Sequence, residues 1–414
     1  MKVSKKEMSI ETNCRSCGMR TLENIISFGK MPLANALLKR SELKAKETLY
    51  PLNLMFCSSC ALVQIRETVA PEKLFSHYLY FSSFADTMLK HAEALSASLI
   101  ASRKLGSKSL VVEIASNDGY LLKNFVKRQI PVLGIEPAKN IAKEAQKKGV
   151  KTVNEFFGES LARRLTSEGA RADVVVALNV MAHVQDLNGF VNGIRLLLKE
   201  DGIAVIEVPY VKDLVNGAKF DTIYHEHLCY FSFLSLCHLF ERHGLFIREV
   251  VRKDIHGGSL RMVVSKTQAV STSAHRFFQA EKKAGMDKFI FYKRFAQAVK
   301  SVKKSLKGVL IKHKRSGKSL AAYGAGAKGV VLLNYCGIGK ELLDFTVDRS
   351  THKQGRFVPG VRLPIHAPSE LLRRKPDYVL LLTWNFAKEI LSQQRKFIQN
   401  GGRFVIPVPK VRVL

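Results

Sequence analysis

A chain of 414 residues is too long for one typical core, so two or three domains are expected. Its hydrophobic share of 46% is that of a soluble globular protein, and no apolar run reaches the roughly 18 residues a membrane span needs. The net charge of +31, from 66 Lys and Arg against 35 Asp and Glu, favours anionic partners: nucleic acid, anionic lipid or phosphorylated small molecules. The opening MKVSKKEMSIETN carries no apolar stretch behind its lysines. It does not read as a secretory signal, and a cytoplasmic location is expected.

Four of the seven cysteines form two pairs, Cys14-x-x-Cys17 and Cys57-x-x-Cys60. Two such knuckles present four thiolates to one tetrahedral zinc ion. Each is followed by a small residue, Gly18 or Ala61, which suits a tight turn. All four ligands are cysteine, so no position is left for water and the metal is expected to be structural. A redox pair fits less well, because neither knuckle opens a helix after a strand.

From residue 109 strands and helices alternate. SLVVEIAS, VLGIEP, ADVVVALNV and IAVIEVP read as buried strands, with amphipathic helical stretches between them. This pattern predicts an α/β, doubly wound parallel sheet. LFIREVVRKDIHGGSLRMVVS adds two strands and a Gly-Gly turn, an antiparallel edge. Ligands of such sheets bind beyond the carboxyl ends of the strands. The first end holds Glu113, Ala115, Asn117, Asp118 and Gly119, in the E-x-G-x-G-x-G spacing of class I methyltransferases with Ala and Asn replacing two glycines. The second ends at Glu136, an acceptor for a ribose diol. An NAD site would use Glu136 equally well, so both readings stand on these residues alone.

FDTIYHEHLCYFS, residues 220–232, follows the fifth strand, and His183 follows the fourth. In extended chain His225 and His227 would share one face, with Glu226 on the other. The spacing is not that of a zinc-protease helix. Three imidazoles, Glu226 and the Tyr224 phenol near one mouth point to acid/base work rather than to a metal.

The stretch 281–318 is basic with apolar residues at helical spacing, a helix with a solvated charged face. Beyond it Gly324-Ala-Gly326-Ala-Lys328-Gly329 has the G-x-G-x-x-G spacing, with Asp348 some 20 residues on. Such a turn binds NAD, and by the same physics any diphosphate. An NAD-dependent oxidoreductase is therefore a rival reading. A zinc-containing nucleic-acid methyltransferase is another, although no basic-aromatic stacking platform is visible.

Taken together these segments resemble the sugar C-methyltransferases. The likeness is carried by GKMPLANALL, YPLNLMFCSSCALVQ, HYLYFSS, VEIASNDGYLL, GIEPAKN, LNVMAHV, FDTIYHEHLCYFS, HGGSLR, AAYGAGAKGVVLLNYCGI, VDRSTHKQGRFVPG and LLTWNF, in that order along nearly the whole chain. The resemblance implies a zinc-binding domain over 1–75, a class I methyltransferase domain over 76–265, and a helical linker with a Rossmann-like domain over 266–414. It implies S-adenosylmethionine as methyl donor, with Asn179 joining the cofactor set. It also implies a nucleotide-linked 4-keto-deoxyhexose as substrate, methylated at C3 through an enolate, with no nucleic acid or membrane as partner. His227 is the expected base, with Tyr224 and Glu226 beside it, and His183 and Tyr78 steady the enolate oxygen. Lys328, Lys353, Arg356, Trp384 and Asn385 would grip the nucleotide-sugar, with Ser259 and Arg261 reaching from the central sheet.

Overall fold

The computed structural model describes residues 7–75, 82–84, 86–255, 257–269 and 271–414. Tyr78 lies outside the described residues.

The central sheet has seven strands in the order Phe246–Lys253, Ser259–Ser265, Leu198–Pro209, Ala172–Leu178, Val111–Ile114, Val132–Ile135, Thr152–Val153. The last five are parallel, while Ser259–Ser265 runs antiparallel to both of its neighbours. Numbered along the chain, the order is 6-7-5-4-1-2-3, the doubly wound sheet of class I methyltransferases. Val111–Ile114 and Ala172–Leu178 are almost entirely apolar because helices cover both of their faces. The Gly-Gly turn expected between the edge strands is present, with Gly257 and Gly258 both at positive φ.

The cysteine-bearing segment folds into a four-stranded antiparallel sheet, ordered Cys229–Tyr230, Val63–Ile65, Tyr50–Cys57, Leu22–Met31. Its outer strand comes from far along the chain. Cys229 pairs with Gln64 and Tyr230 with Val63, so the stretch beginning FDTIYHEH is stitched into the cysteine-bearing sheet. The C-terminal sheet has six strands, parallel except for the last pair, with Leu320–Tyr323 between Thr346–Val347 and Tyr378–Leu381.

The basic stretch forms two helices rather than one. Thr272–Lys283 ends before Gly285, whose φ of 73° suits glycine, and Phe289–Arg315 follows. The second helix buries Tyr292, Phe295, Val299, Val302, Leu306 and Leu310, a stripe at three- and four-residue spacing. Tyr292 packs on Phe56 of the cysteine-bearing sheet with ring centroids 4.7 Å apart. Lys303 stands over Tyr335 of the first C-terminal helix at 4.4 Å, and Tyr335 also meets Phe28 at 5.1 Å. This helix therefore clamps the first and last sheets together. No helix among the described residues is long and apolar enough to cross a membrane.

Candidate active site

The four knuckle sulfurs converge. The metal-binding atoms of Cys14, Cys17, Cys57 and Cys60 all lie within 4.8 Å of one another, with Cys14–Cys60 at 3.5 Å and Cys17–Cys57 at 3.6 Å. A tetrahedron of zinc–sulfur bonds places its corners about 3.8 Å apart. The two knuckles repeat one local design. In the first, Gly18 N–H donates to the Cys14 carbonyl and Cys14 N–H to that of Met19; in the second, Ala61 donates to Cys57 and Cys57 to Leu62. The residue after each knuckle is left-handed, at φ 73° for Gly18 and 59° for Ala61. The donor set fits a structural zinc ion closed to solvent.

At the end of the first central strand the backbone turns back repeatedly. Ala115, Asn117 and Gly119 have φ of 57°, 48° and 74°. Ala115 and Asn117 thus adopt the glycine-like backbone that their places in the spacing require. A Cβ on Gly119 would lie 2.9 Å from a Val150 methyl, so glycine is demanded there by space as well. Glu136 accepts from the backbone N–H of Asn117 at 3.1 Å and of Ala138 at 2.8 Å. Asn117 in turn accepts from Ser82 N–H at 2.9 Å. Burial drives the Glu113 carboxyl well above its usual range, and Glu136 and Asp118 add to the rise. Glu113 Oε2, Asp118 Oδ1 and Asn179 Oδ1 are buried acceptors without a partner among the described residues. A lining of unsatisfied acceptors beside a left-handed backbone fits a ligand that brings amino and hydroxyl donors, as S-adenosylmethionine does.

Asn179 directly follows the fourth strand at φ 56°, and its N–H donates to the Glu207 carbonyl on the next strand. The short turn Met181–His183 follows directly. Leu228 N–H donates to the Ala182 carbonyl at 2.7 Å, which ties the 224–228 segment to this turn at the mouth of the sheet.

That segment is a turn, not extended chain, with His227 N–H bonded to the Tyr224 carbonyl at 2.9 Å. The expectation that His225 and His227 share a face is therefore corrected. His225 is buried against Tyr50 and its Nε2 donates to the Pro51 carbonyl at 3.0 Å. Glu226 turns to Asn35, whose Nδ2 reaches both carboxylate oxygens, at 2.7 and 2.9 Å. His227 stacks on Tyr224 at 4.1 Å between centroids and meets His183 edge-on at 4.7 Å. The structure thus joins His183, Tyr224 and His227, turns the His225 ring to Pro51 and the Glu226 carboxylate to Asn35, and keeps the Glu226 backbone against the His183 ring.

Electrostatics follow from burial. His183 and His225 are pushed down to about 4 by loss of water, so both are neutral at pH 7. Burial lifts Glu226 to about 7, against a downward pull from Asn35.

The glycine turn of the C-terminal sheet lies between strand Leu320–Tyr323 and helix Ala327–Cys336. Asp348 does not stand free for a ribose. It accepts from Ala325 N–H at 2.8 Å and Ser350 N–H at 2.9 Å, with the Lys353 ammonium 3.5 Å away. Lys328 sits over the Trp384 ring at 5.2 Å, and Trp384 Nε1 donates to Asp221 Oδ2 at 2.6 Å. Asp221 belongs to the 220–222 turn just before the imidazole cluster, so the C-terminal sheet meets the methyltransferase mouth here. Burial raises Asp221 to about 6, while Lys328 and Trp384 pull the other way. Asn385 shares the turn of Trp384, and Arg356 lies near Lys353 in the loop after Asp348. Ser259 and Arg261 are engaged within the central sheet. Ser259 Oγ donates to the Ile255 carbonyl, and Arg261 pairs with buried Glu207, which His91 also meets at 2.9 Å.

Sequence reading missed Asn35, Asp221 and His91. Asn35 and Asp221 lie inside the quoted blocks GKMPLANALL and FDTIYHEH, but nothing in their spacing marks them.

A curated relative, C-methyltransferase NovU of Streptomyces niveus, is 36% identical over 404 residues, covering 97% of this chain and 96% of its own. The chain belongs to the C-methyltransferase family. Three family models tile the sequence: a zinc binding domain over residues 14–75, a methyltransferase domain over 88–250 and a C-methyltransferase C-terminal domain over 254–409. Among solved structures, magnesium protoporphyrin IX methyltransferase of Synechocystis PCC 6803 aligns at a TM-score of 0.34 and 14% identity, over 43% of this chain and 79% of its own. A protein of Pyrococcus horikoshii OT3 aligns at 0.36 and 14% identity, over 48% and 98%. This C-methyltransferase uses S-adenosylmethionine and carries a zinc site. Family membership makes methyl transfer to carbon the activity of this chain.

Proposed function

We propose that the enzyme methylates C3 of a nucleotide-linked 4-keto-deoxyhexose, in deoxysugar biosynthesis. The observation that carries this reading is the cluster of His183, Tyr224 and His227, tied by Leu228 and Ala182 to the strand ends that bear the cofactor residues. We further propose the three-part division 1–75, 76–265 and 266–414.

Carbon becomes nucleophilic only when a proton is removed. A C4 ketone acidifies the neighbouring C3 proton, and the C–H electron pair then spreads onto the ketone oxygen as an enolate. His227 is built for this step. Its Nδ1 lies 2.9 Å from the Thr222 carbonyl, so Nδ1 carries the hydrogen and Nε2 is the basic atom. That Nε2 lies 2.9 Å from the Tyr224 hydroxyl, so the phenol is placed either to yield to the sugar or to relay its proton to the ring. His183, held neutral by burial, spends its ring N–H on the Glu226 backbone, so it would serve the enolate oxygen by fixing the turn beside His227, and Tyr78 is left as the candidate donor to that oxygen. When bound, S-adenosylmethionine supplies an electrophilic methyl. Glu113, Ala115, Asn117, Asp118, Gly119, Glu136 and Asn179 would hold it.

The C-terminal sheet would hold the nucleotide. The turn at Gly324–Gly326 opens the helix Ala327–Cys336, and backbone N–H groups there suit a diphosphate. Lys328, Lys353, Arg356, Trp384 and Asn385 would complete the grip. Ser259 and Arg261 would act from behind, steadying the Ile255 turn and Glu207.

Incubation with labelled methyl donor and a panel of nucleotide 4-ketosugars tests the reading. Label on the carbon next to the ketone is expected. Label on oxygen or nitrogen, or none on any sugar, would defeat it.

A further inference from the structure

Glu226 is 3% exposed, and a carboxylate that deep needs a partner. Its partner comes from 191 positions away, the carboxamide of Asn35, which bridges both of its oxygens. Asn35 follows strand Leu22–Met31 of the cysteine-bearing sheet and is itself exposed, while the carboxylate it holds is buried. Its segment is pinned on the other flank as well, where Leu38 and Phe357 exchange two backbone hydrogen bonds of 2.9 Å.

The choice of an amide has a chemical consequence. A lysine or arginine here would lock Glu226 ionised, and an apolar residue would lock it neutral. A carboxamide pairs with either form. Its NH2 donates to a carboxylate, or, rotated by half a turn, its oxygen accepts from a carboxyl O–H while its nitrogen donates to the other oxygen. The surroundings leave that choice open. The His183 ring bonds the Glu226 backbone, and His225 and His227 flank it on its own turn. Among the described residues no ion pair reaches its carboxylate, which titrates near pH 7.

We propose that Asn35 is a positioning residue of the methyl transfer, through which the zinc-bearing module holds the Glu226 carboxyl in one orientation beneath the His183 and His227 rings' turn. The proposal rests on the functional reading above. It gives the zinc module a part in turnover as well as in folding.

The test uses the intact, zinc-loaded enzyme with a nucleotide 4-ketosugar that the wild type methylates. In Asn35→Ala, kcat should fall by about 30- to 100-fold, while KM for the sugar and Kd for S-adenosylhomocysteine shift less than about threefold. Asn35→Asp keeps the size but replaces the donor with an acceptor. It should retain zinc and fold and lose at least as much kcat, because two carboxyl groups then compete for one proton. A kcat within about twofold of wild type in Asn35→Asp overturns the proposal. So does a loss of kcat that tracks loss of zinc and of homocysteine-analogue binding, the signature of a purely structural residue. A wild type that methylates no ketosugar defeats the functional reading, and this proposal with it, before any variant is compared.

Discussion

The Tyr224 hydroxyl lies 2.9 Å from Nε2 of His227, while Nδ1 of the same ring lies 2.9 Å from the Thr222 carbonyl. A backbone carbonyl can only accept, so the tautomer is fixed and the basic nitrogen faces the phenol. In His227→Asn the side chain is too short to meet Tyr224 and the base is lost. Turnover is expected to fall by about 100- to 10,000-fold, the usual worth of a positioned base. Calorimetric binding of S-adenosylhomocysteine should be unchanged. Tyr224→Phe should cost as much only if the phenol relays the proton, so the pair of variants separates direct from relayed abstraction.

Buried groups make a prediction about pH. A carboxyl raised in the fold binds more protons than the unfolded chain does, so its contribution falls as pH rises from the unfolded pKa to the folded one. For Glu226, at about 7, that window runs from roughly pH 4.5 to 7, and for Asp221, at about 6, from roughly 4 to 6. His183 and His225, depressed to about 4, act oppositely: stability rises between about 4 and 6.5 as the unfolded imidazoles lose their protons. The two effects offset one another up to about pH 6.5, and above it the buried carboxyls still held up, Glu226 and Glu113 among them, lower stability as they ionise. Glu226→Gln should therefore be more stable than wild type at pH 8, by up to about 3 kcal/mol, with a much smaller gain at pH 5.5. Urea denaturation at the two pH values checks this; equal gains at both would count against it.

The zinc knuckles are coupled to the mouth by backbone. Val63 and Gln64, close after Cys60, pair with Tyr230 and Cys229, a few residues past His227. Cys57→Ser should lower zinc content below one ion per chain and lower the melting temperature. It should also reduce kcat while leaving S-adenosylhomocysteine affinity within about threefold, because the cofactor residues lie on the other sheet. A metal-free preparation with an unchanged melting temperature would contradict the assignment.

The Trp384–Asp221 bond crosses from the C-terminal sheet to the mouth. Trp384→Phe keeps the ring under Lys328 but withdraws the donor from a fully buried carboxylate, leaving it costlier by about 1–3 kcal/mol. Thermal denaturation should show the loss. KM for the nucleotide-sugar should rise about tenfold, with the cofactor's Kd unmoved. An unchanged KM would mean that the seam is structural and the nucleotide binds elsewhere.

Several features were legible because they depend on near neighbours. The cysteine spacing dictates two knuckles, since the same pair of backbone hydrogen bonds closes each one. Asn117 could be recognised as a glycine substitute because left-handed backbone is a local property of residue type. The parallel sheet followed from apolar runs, which need only burial on two faces. The directions of His225 and Glu226 were not legible. Extended chain and a tight turn place alternate side chains differently, and the turn at 224–227 forms where the segment bonds to Ala182 and docks on the cysteine-bearing sheet.

The residue alphabet and its short-range spacing determined that this chain would bind zinc through four thiolates, wind a central α/β sheet and carry imidazoles beyond its strand ends. Tertiary structure alone decided which imidazole faces a phenol, which carboxylate meets Asn35 and which indole reaches Asp221. Those pairs lie as many as 191 positions apart. No local propensity acts over such a separation; sheets that dock through apolar faces bring the polar groups at their rims within bonding distance only after the chain has folded.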